Sequence, residues 1–164
     1  MNDPMRILKA DHREVEQLLT KLAETDEGSE RESMLAEVEM KLTAHMDMEE
    51  SLVYPVLKDK VGSEDEEEAE VEHGLAREGL QKMRGMVEAP GFGAAVEMLK
   101  GGITHHVQEE EGELLPELKE ASTRDEWLAL GDALAQAKES AGLPVPQPQR
   151  RRSTKRRRTA GSRK

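Results

Sequence analysis

The fold of this chain is decided by HMDMEESLVYPVL (residues 45–57) and HVQEEEGELLPEL (residues 106–118), two segments that lie 61 positions apart. In both segments a histidine, a pair of glutamates, a proline and a final leucine occupy matching positions. Two more histidines, His12 and His73, are also 61 positions apart, and each lies 33 residues before the histidine of its own segment. The sequence is therefore a duplication whose unit has the size of a helical hairpin, and two packed hairpins make a four-helix bundle.

Apolar residues recur every three or four positions, which is the spacing of amphipathic helices. No segment alternates apolar and polar residues with β-branched side chains, so a sheet is not expected. Helices are predicted from Pro4 to the break at Gly28-Ser29, then over about 30–57, 64–87, 92–118 and, as a shorter fifth helix, 123–141. We expect Pro55 to kink or tighten the end of the second helix and Ser63 to cap the third.

The amino-acid composition excludes several kinds of site and indicates a narrow core. Apolar residues make up 35% and charged residues 36% of the chain, so the core must be narrow. The chain has no cysteine, which excludes disulfides, zinc thiolate sites, iron–sulfur clusters and cysteine nucleophiles. No apolar run approaches the roughly 18 residues of a membrane span, and the N-terminal residues lack the apolar region of a signal peptide. We expect a cytoplasmic protein that does not contact membranes.

The charge is divided unevenly along the chain. Nine of the 24 Lys and Arg residues lie in Arg150–Lys164, which contains no acidic residue, so residues 1–149 carry 15 basic against 35 acidic residues. A basic cluster of this density attracts polyanions by counterion release, which makes nucleic acid a candidate partner. The predicted fold is thus all-α, an antiparallel up-and-down four-helix bundle with a short fifth helix over 1–142. A Pro-rich linker and a disordered basic tail are expected over 143–164.

The helical phase places a set of polar residues on the inward faces of the four long helices. They are His12, His45, Glu49, His73, His106 and Glu110. An ionised carboxylate in a dry core is costly unless it is paired or binds a metal, and no Lys or Arg lies near the two glutamates on these faces. The set therefore predicts a metal site. Outside the histidines the register is looser, since Val38 aligns with Val96 only at an offset of 58.

The motifs are similar to those of the hemerythrin-like (HHE cation-binding) family. They are Leu8-x-x-Asp11-His12, His45-x-x-x-Glu49-Glu50 with Tyr54-Pro55, Glu72-His73, and His106-x-x-x-Glu110-Glu111 with Leu115-Pro116. The resemblance covers about residues 4–120, the predicted metal-binding core. It implies a non-haem di-iron centre with an oxo or hydroxo bridge. The mixture of imidazole and carboxylate favours iron, with zinc or manganese as alternatives.

The resemblance also implies a role for each residue of the set. His12 and His45 would bind one iron, His73 and His106 the other, and Glu49 and Glu110 would bridge them. Oxygen-carrying hemerythrins have a further histidine where this chain has Arg77, and usually Asp in place of Glu110. Those two departures argue against a five-histidine oxygen carrier.

Several alternatives remain open at the level of sequence. A register slip would make His105 and Glu109 the ligand pair, whereas the preferred register leaves Glu109 and Glu111 facing water. The predicted function is to bind or sense O2, NO or peroxide, or to buffer iron, with at most weak peroxide- or NO-directed redox activity rather than dedicated catalysis. The alternative is a nucleic-acid-associated protein that uses Arg150–Lys164, with the bundle as a regulatory or partner-binding module. The third hypothesis is a metal-free bundle in which the four histidines are merely buried.

Overall fold

The computed structural model describes residues 2–147, and within this range it contains helices and no strand. The helices are α1 (Pro4–Glu24), α2 (Ser29–Met48), α3 (Tyr54–Lys60), α4 (Glu64–Gly85), α5 (Phe92–Glu109), α6 (Leu115–Ala121) and α7 (Arg124–Ser140). Two π-helical turns, Glu49–Val53 and Glu110–Leu114, join α2 to α3 and α5 to α6. The predicted all-α fold is confirmed. Of the predicted linker and tail, residues 143–147 have no regular structure, and 148–164 lie outside the described residues.

The four long helical segments form the bundle. Helix α1 packs mainly against α5 and α2, and α4 packs against α5 and, less closely, α2. The two hairpins predicted from the duplication, α1 with α2 and α4 with α5, thus lie side by side. None of the helices in residues 2–147 has the length and apolarity that a bilayer crossing requires.

The fifth helix of the prediction, α7, closes one end of the bundle against α1. Thr123 and Glu126 form a capping box at its start. Asp3 caps α1 by accepting from the Met5 amide and also accepts a hydrogen bond from the Trp127 indole at 3.2 Å. The expected cap at Ser63 is not formed, because its side chain makes no hydrogen bond to the first turn of α4.

The prediction that Pro55 kinks or tightens the end of its helix was wrong, because a wider π turn is present there. The Tyr54 amide donates to the Glu49 carbonyl, and the Leu115 amide donates to the Glu110 carbonyl, so each turn is wider by one residue than an α-helical turn. A proline has no amide hydrogen to donate and its ring clashes with the carbonyl four residues earlier, and a wider turn relieves both problems. Each π turn begins at one of the inward glutamates, so the widening occurs at the predicted site.

Two apolar clusters fill the core, one on each side of the histidines. The lower cluster includes Leu8, Tyr54, Leu57, Leu118 and Trp127. The upper cluster is built from residues of α1, α2, α4 and α5: Val15, Leu19, Leu22, Leu35, Val38, Leu42, Met46, Ala76, Leu80, Met83, Phe92, Val96, Leu99 and Ile103. Leu35, Val38 and Leu42 are buried, and so are the residues 61 positions later, so the duplication extends to these apolar positions of α2 and α5. The pairing of Val38 with Val96 was therefore wrong, and Val38 corresponds to Leu99.

Candidate metal centre

Four histidines and two glutamates meet between the two apolar clusters. All six predicted ligands lie there: His12 on α1, His45 on α2, Glu49 and Glu110 at the starts of the π turns, His73 on α4 and His106 on α5. Each of the six is at most 5% exposed. The structure thus brings together every residue of the predicted set in one buried polar layer.

A first group of donor atoms comes from His12, His45, Glu49 and Glu110, and these atoms lie within 4.8 Å of one another. Nε2 of His12 is 3.1 Å from Oε2 of Glu110 and 3.6 Å from Oε1 of Glu49. Nε2 of His45 is 3.1 Å from the same Glu49 oxygen. Four nitrogen and oxygen donors this close together form a set that suits a transition-metal ion.

A second group comes from Glu49, His73 and His106. Nε2 of His73 is 3.3 Å from Oε2 of Glu49 and 3.2 Å from Nε2 of His106. Glu49 therefore belongs to both groups and turns one oxygen toward each. The histidines are divided between the groups as the family resemblance implied, whereas Glu110 lies in the first group alone.

The alternative pair, His105 and Glu109, is placed elsewhere. Together with Glu72 these residues form a small group at the surface, in which the His105 side chain is 60% exposed. Nε2 of His105 is 3.4 Å from Oε1 of Glu109. The register that puts His106 and Glu110 inside the bundle is the one observed.

The carboxylates of Glu49 and Glu110 lack hydrogen-bond donors among the described residues, and a bound cation would compensate for that lack. Both oxygens of each residue are buried and accept no hydrogen bond within residues 2–147. A buried carboxylate without donors is costly, and nearly all buried polar atoms in folded proteins have a partner. The donor set present, four imidazoles and two carboxylates, fits metal ions bound through nitrogen and oxygen. The residues therefore suit the metal pair that the resemblance implied.

The electrostatics of the layer point the same way. Burial opposes charge on His45, but the negative charge of Glu49 outweighs it and raises the pKa of His45 to about 9. Burial likewise opposes charge on His12, yet the negative carboxylates of Glu110 and Glu49 near its Nε2 raise its pKa well above the ordinary value. Burial and repulsion by Glu49 raise the pKa of Glu110. Without metal, the layer would neutralise its carboxylates by taking up protons, and a bound cation would displace those protons.

A second ring of carboxylates faces the outer nitrogens of the histidines. Nδ1 of His12 lies 2.9 Å from Glu111, Nδ1 of His73 2.9 Å from Glu50, Nδ1 of His106 2.8 Å from Glu72, and Nδ1 of His45 3.7 Å from Asp11. Such partners fix the imidazole with Nδ1 protonated and leave the Nε2 lone pair free for a metal. The expectation that Glu111 faces water was wrong, since it holds His12.

The four outer carboxylates obey the duplication, because Asp11 matches Glu72 and Glu50 matches Glu111 at an offset of 61. These acidic residues stood in the repeated motifs, and their matching positions were the signal that sequence reasoning left unused. The duplication also explains how they act. In each half, the acid preceding the first histidine serves the second histidine of that half, while the second glutamate of each pair serves the other half.

Cations support three of the outer carboxylates. Lys9 contacts Glu111 at 3.0 Å, and Arg77 makes two hydrogen bonds to Glu50 at 2.6 and 3.0 Å. Lys138 of α7 is 2% exposed and pairs with Asp11. Burial opposes ionisation of Asp11, but His45 and Lys138 outweigh it and lower its pKa. Arg77, which stands where oxygen carriers have a histidine, thus acts on His73 through Glu50.

Tyr54 is a further polar group at the centre, and its role was not predicted. Its hydroxyl lies 3.1 Å from Nε2 of His73 and the residue is buried. Burial and the nearby carboxylates, Glu49 above all, raise the pKa of Tyr54, so its hydroxyl stays protonated and available as a donor. The matching position in the second half is Leu115, so the hydroxyl is present on one side only.

A small cavity adjoins the four histidines on the side of the upper cluster. Its volume is about 10 Å³, and its remaining lining is apolar, from Val15, Leu42, Met46, Ile103 and Val107. A space of this size holds about one water-sized molecule.

Known proteins are similar to this chain in sequence and in fold. The family described as Hemerythrin HHE cation binding domain matches residues 3–118. A hemerythrin HHE cation binding domain-containing protein from Mycobacterium kansasii has a similar structure, with a TM-score of 0.75 and 25% sequence identity over 87% of this chain and 89% of that chain. A DNA nickase of Nostoc sp. is 25% identical over 114 residues, or 69% of this chain. That match covers 32% of the nickase, so the chain spans about a third of the length of this curated relative.

Proposed function

Because the chain belongs to the hemerythrin HHE cation-binding domain family, we propose that its bundle holds two iron ions and binds or senses O2, NO or peroxide, or buffers iron. The family and the buried cluster of histidines and glutamates make this a metal-binding hemerythrin-like protein. The proposal adds the identity of the metal and its small ligand.

The residues of the two groups would divide between the two ions. His12, His45 and Glu110 would hold one ion, His73 and His106 would hold the other, and Glu49 would be shared. The observation that carries the proposal is the set of carboxylate oxygens on Glu49 and Glu110 that are buried and accept no hydrogen bond in the described part of the chain. Two cations would satisfy these oxygens and the facing Nε2 atoms together.

Iron is favoured by the chemistry of the donors. Thiolates are absent from the sequence, and imidazole mixed with carboxylate suits iron well, whereas structural zinc sites are usually closed by four ligands. Iron in this layer would supply open coordination positions and one-electron chemistry toward a small oxidant or diatomic ligand.

The chain's own residues would select and stabilise that ligand. The cavity beside the histidines is small and otherwise lined by apolar residues, so it would favour a small uncharged ligand. The Tyr54 hydroxyl can donate a hydrogen bond toward the layer from the side of His73. These features support binding or sensing of a diatomic molecule or a peroxide.

The test is metal content and absorption after purification with iron supplied and exposure to air. We expect about two irons per chain and near-ultraviolet absorption bands of a di-iron centre. His106→Ala and Glu110→Ala should lose most of the iron and the bands. His105→Ala is the matched control, because His105 is the neighbouring histidine on α5 but is exposed, so this variant should keep both.

Titration of the iron-loaded protein with NO or peroxide should then change the spectrum and reach saturation. A protein that folds without metal under these conditions, or that takes up only zinc, would refute the iron proposal. Equal iron loss in His105→Ala and His106→Ala would refute the assignment of the ligands.

We also propose, as a second function, association with nucleic acid through Arg150–Lys164. The density of basic residues in this segment supports it, as does the similarity of part of the chain to a protein described as a DNA nickase. The bundle would then serve as a regulatory or partner-binding module. Deletion of 150–164 should abolish binding to duplex DNA or RNA and its steep dependence on salt, and leave metal content unchanged. Equal binding by the deleted chain would refute this second function.

A further inference from the structure

A groove of about 450 Å³ runs between α4 and α5 and ends at the metal layer, where His73 and His106 are among its lining residues. Its floor is apolar, from Ala76, Leu99 and Ile103, while Leu75 and Met98 form the rim. These two rim residues are 61% and 80% exposed, which is unusual for large apolar side chains. The volume falls in the range of small-molecule sites, about 300–1,000 Å³. The groove therefore has the size and the apolar lining of a ligand site.

The duplication shows how the groove arises. At four matched positions the first hairpin has a large residue and the second a small one: Val15 and Ala76, Leu18 and Gly79, Met34 and Ala95, Lys41 and Gly102. All four small residues line the groove. The groove thus follows from side-chain size at corresponding positions of two similar hairpins.

The residues at the rim also differ between the two hairpins, being charged in the first and apolar in the second. In the first hairpin, Lys41 pairs with Glu14 and, at 3.0 Å, with Glu37, so ion pairs cover the surface between α1 and α2. The residues 61 positions after Glu14 and Glu37 are Leu75 and Met98. The second hairpin therefore has an exposed apolar surface and an open groove where the first is filled and charged.

The two ends of the groove have opposite electrostatic character. Lys82 lines one end and, among residues 2–147, has no acidic partner within 4.0 Å. Glu72 and His105 line the other end, next to the metal layer. Lys82 lies nine residues after His73, or about 13 Å along the helix axis, which matches an extended chain of roughly ten carbons. A linear apolar molecule with one anionic end would fit with that end at Lys82, because Glu72 repels an anion from the opposite end.

We propose that the groove between α4 and α5 binds a medium-chain fatty acid, with its carboxylate at Lys82 and its alkyl chain along Leu75, Ala76 and Ile103. The groove adjoins the metal layer at His73 and His106, but the proposed fatty-acid binding does not depend on the proposed metal function. A second copy of the chain is a weaker candidate for the groove, because residues 1–149 carry 35 acidic against 15 basic residues and would repel their copy.

The experiment is calorimetric titration of the full-length, metal-loaded protein with saturated fatty acids of increasing length, kept below their micelle concentrations. We expect one site per chain and an affinity that rises about fourfold for each added methylene. The rise should stop near ten carbons, where the groove ends. Lys82→Gln should weaken binding of decanoate but not of decanol.

A pair of glycine variants separates the groove from the rest of α5. A Cβ atom added at Gly101 or at Gly102 meets no atom within 4 Å, so a side chain can start at either position without a clash. Only Gly102 lines the groove. Gly102→Leu should therefore reduce decanoate affinity at least tenfold, whereas Gly101→Leu should bind like the unmodified chain. Both variants should keep their metal, which separates this test from that of the proposed function.

Three results would overturn the proposal. The first is decanoate binding that is equal in Gly102→Leu and Gly101→Leu. The second is an affinity that does not depend on chain length. The third is concentration-dependent dimerisation that Gly102→Leu abolishes in a protein that binds no fatty acid, which would assign the groove to contact between copies.

Discussion

Lys138 offers the sharpest test of how α7 supports the metal layer, and the perturbation is Lys138→Met. The Lys138 side chain is buried and pairs with Asp11, which in turn faces Nδ1 of His45. Methionine keeps most of the volume and removes the charge. The substitution leaves the Asp11 carboxylate buried with only the imidazole of His45 nearby.

The magnitude follows from the geometry. Breaking a buried ion pair by removing one partner costs about 3–5 kcal/mol. Asp11 keeps His45 at 3.7 Å and can also take up a proton, so we expect the lower end, about 3 kcal/mol. For a domain of this size, each 1 kcal/mol lowers the melting temperature by about 2–4 °C, which predicts a decrease of about 6–12 °C.

The assay is thermal unfolding followed by circular dichroism on metal-free and metal-loaded protein. Lys60→Met is the control, because Lys60 pairs with Glu126 at 2.9 Å in an exposed position, where such pairs contribute about 0–1 kcal/mol. The double variant Lys138→Met with Asp11→Asn should recover part of the loss, since it removes the unpaired charge. A single variant within about 1 kcal/mol of the unmodified chain, or a double variant no more stable than the single one, would refute the reasoning.

Three further predictions concern the layer and its frame. Glu72→Gln should weaken metal binding about 10–100-fold in chelator competition, because it removes the carboxylate 2.8 Å from Nδ1 of His106; unchanged affinity would contradict this role. In metal-free protein, the raised pKa of His45, about 9, gives stability that is full below the unfolded value near 6.5 and is lost as pH rises through 9. Urea unfolding should show this loss between pH 6 and pH 9.5, and the loss should shrink in His45→Ala. Gly131→Ala should destabilise the fold by about 1–3 kcal/mol, since its Cβ would lie 2.0 Å from the Asn2 carbonyl oxygen, whereas Gly74→Ala, in open space, should be neutral or stabilising in the same melts.

The sequence was sufficient to predict the bundle and the six inward residues because both depend on local periodicity. His12 and Glu49 belong to their stripes by helical phase alone, and the offset of 61 fixes their partners in the other half. Helical phase and duplication can both be read from the sequence alone, because neither depends on how the helices pack against one another.

The duplication pairs the outer carboxylates, but helical phase could not show which histidines they contact. Asp11 and Glu72 directly precede inward histidines, so each lies about 100° from its own inward stripe and reaches a histidine on another helix. That contact depends on how neighbouring helices are rotated and spaced. The role of Lys138 depends in addition on where α7 docks, and the sequence indicated only that a fifth helix exists.

The π turns were missed for a related reason. Pro55 and Pro116 predict that a helix is disturbed, and local rules allow a kink, a break or a wider turn. The wider turn keeps the glutamate at its start in the layer and the leucine after the proline in the lower cluster, as Leu57 shows. The packed core requires both the glutamate and the leucine at these positions. It therefore favours the wider turn over a kink or a break, which local rules cannot do.

The division of the core into two apolar clusters has a consequence for the lifetime of the protein in the cell. Helices α1, α2 and α4 contribute to both clusters, and α5 continues through its π turn into the lower one. We therefore expect metal held by residues of all four segments to tie the two halves into a single cooperative unit. We expect that without metal each cluster can open without the other, and proteases cleave such locally opened segments. Metal supply would then affect the abundance of the protein, because chains that had not bound metal would be degraded faster than those that had.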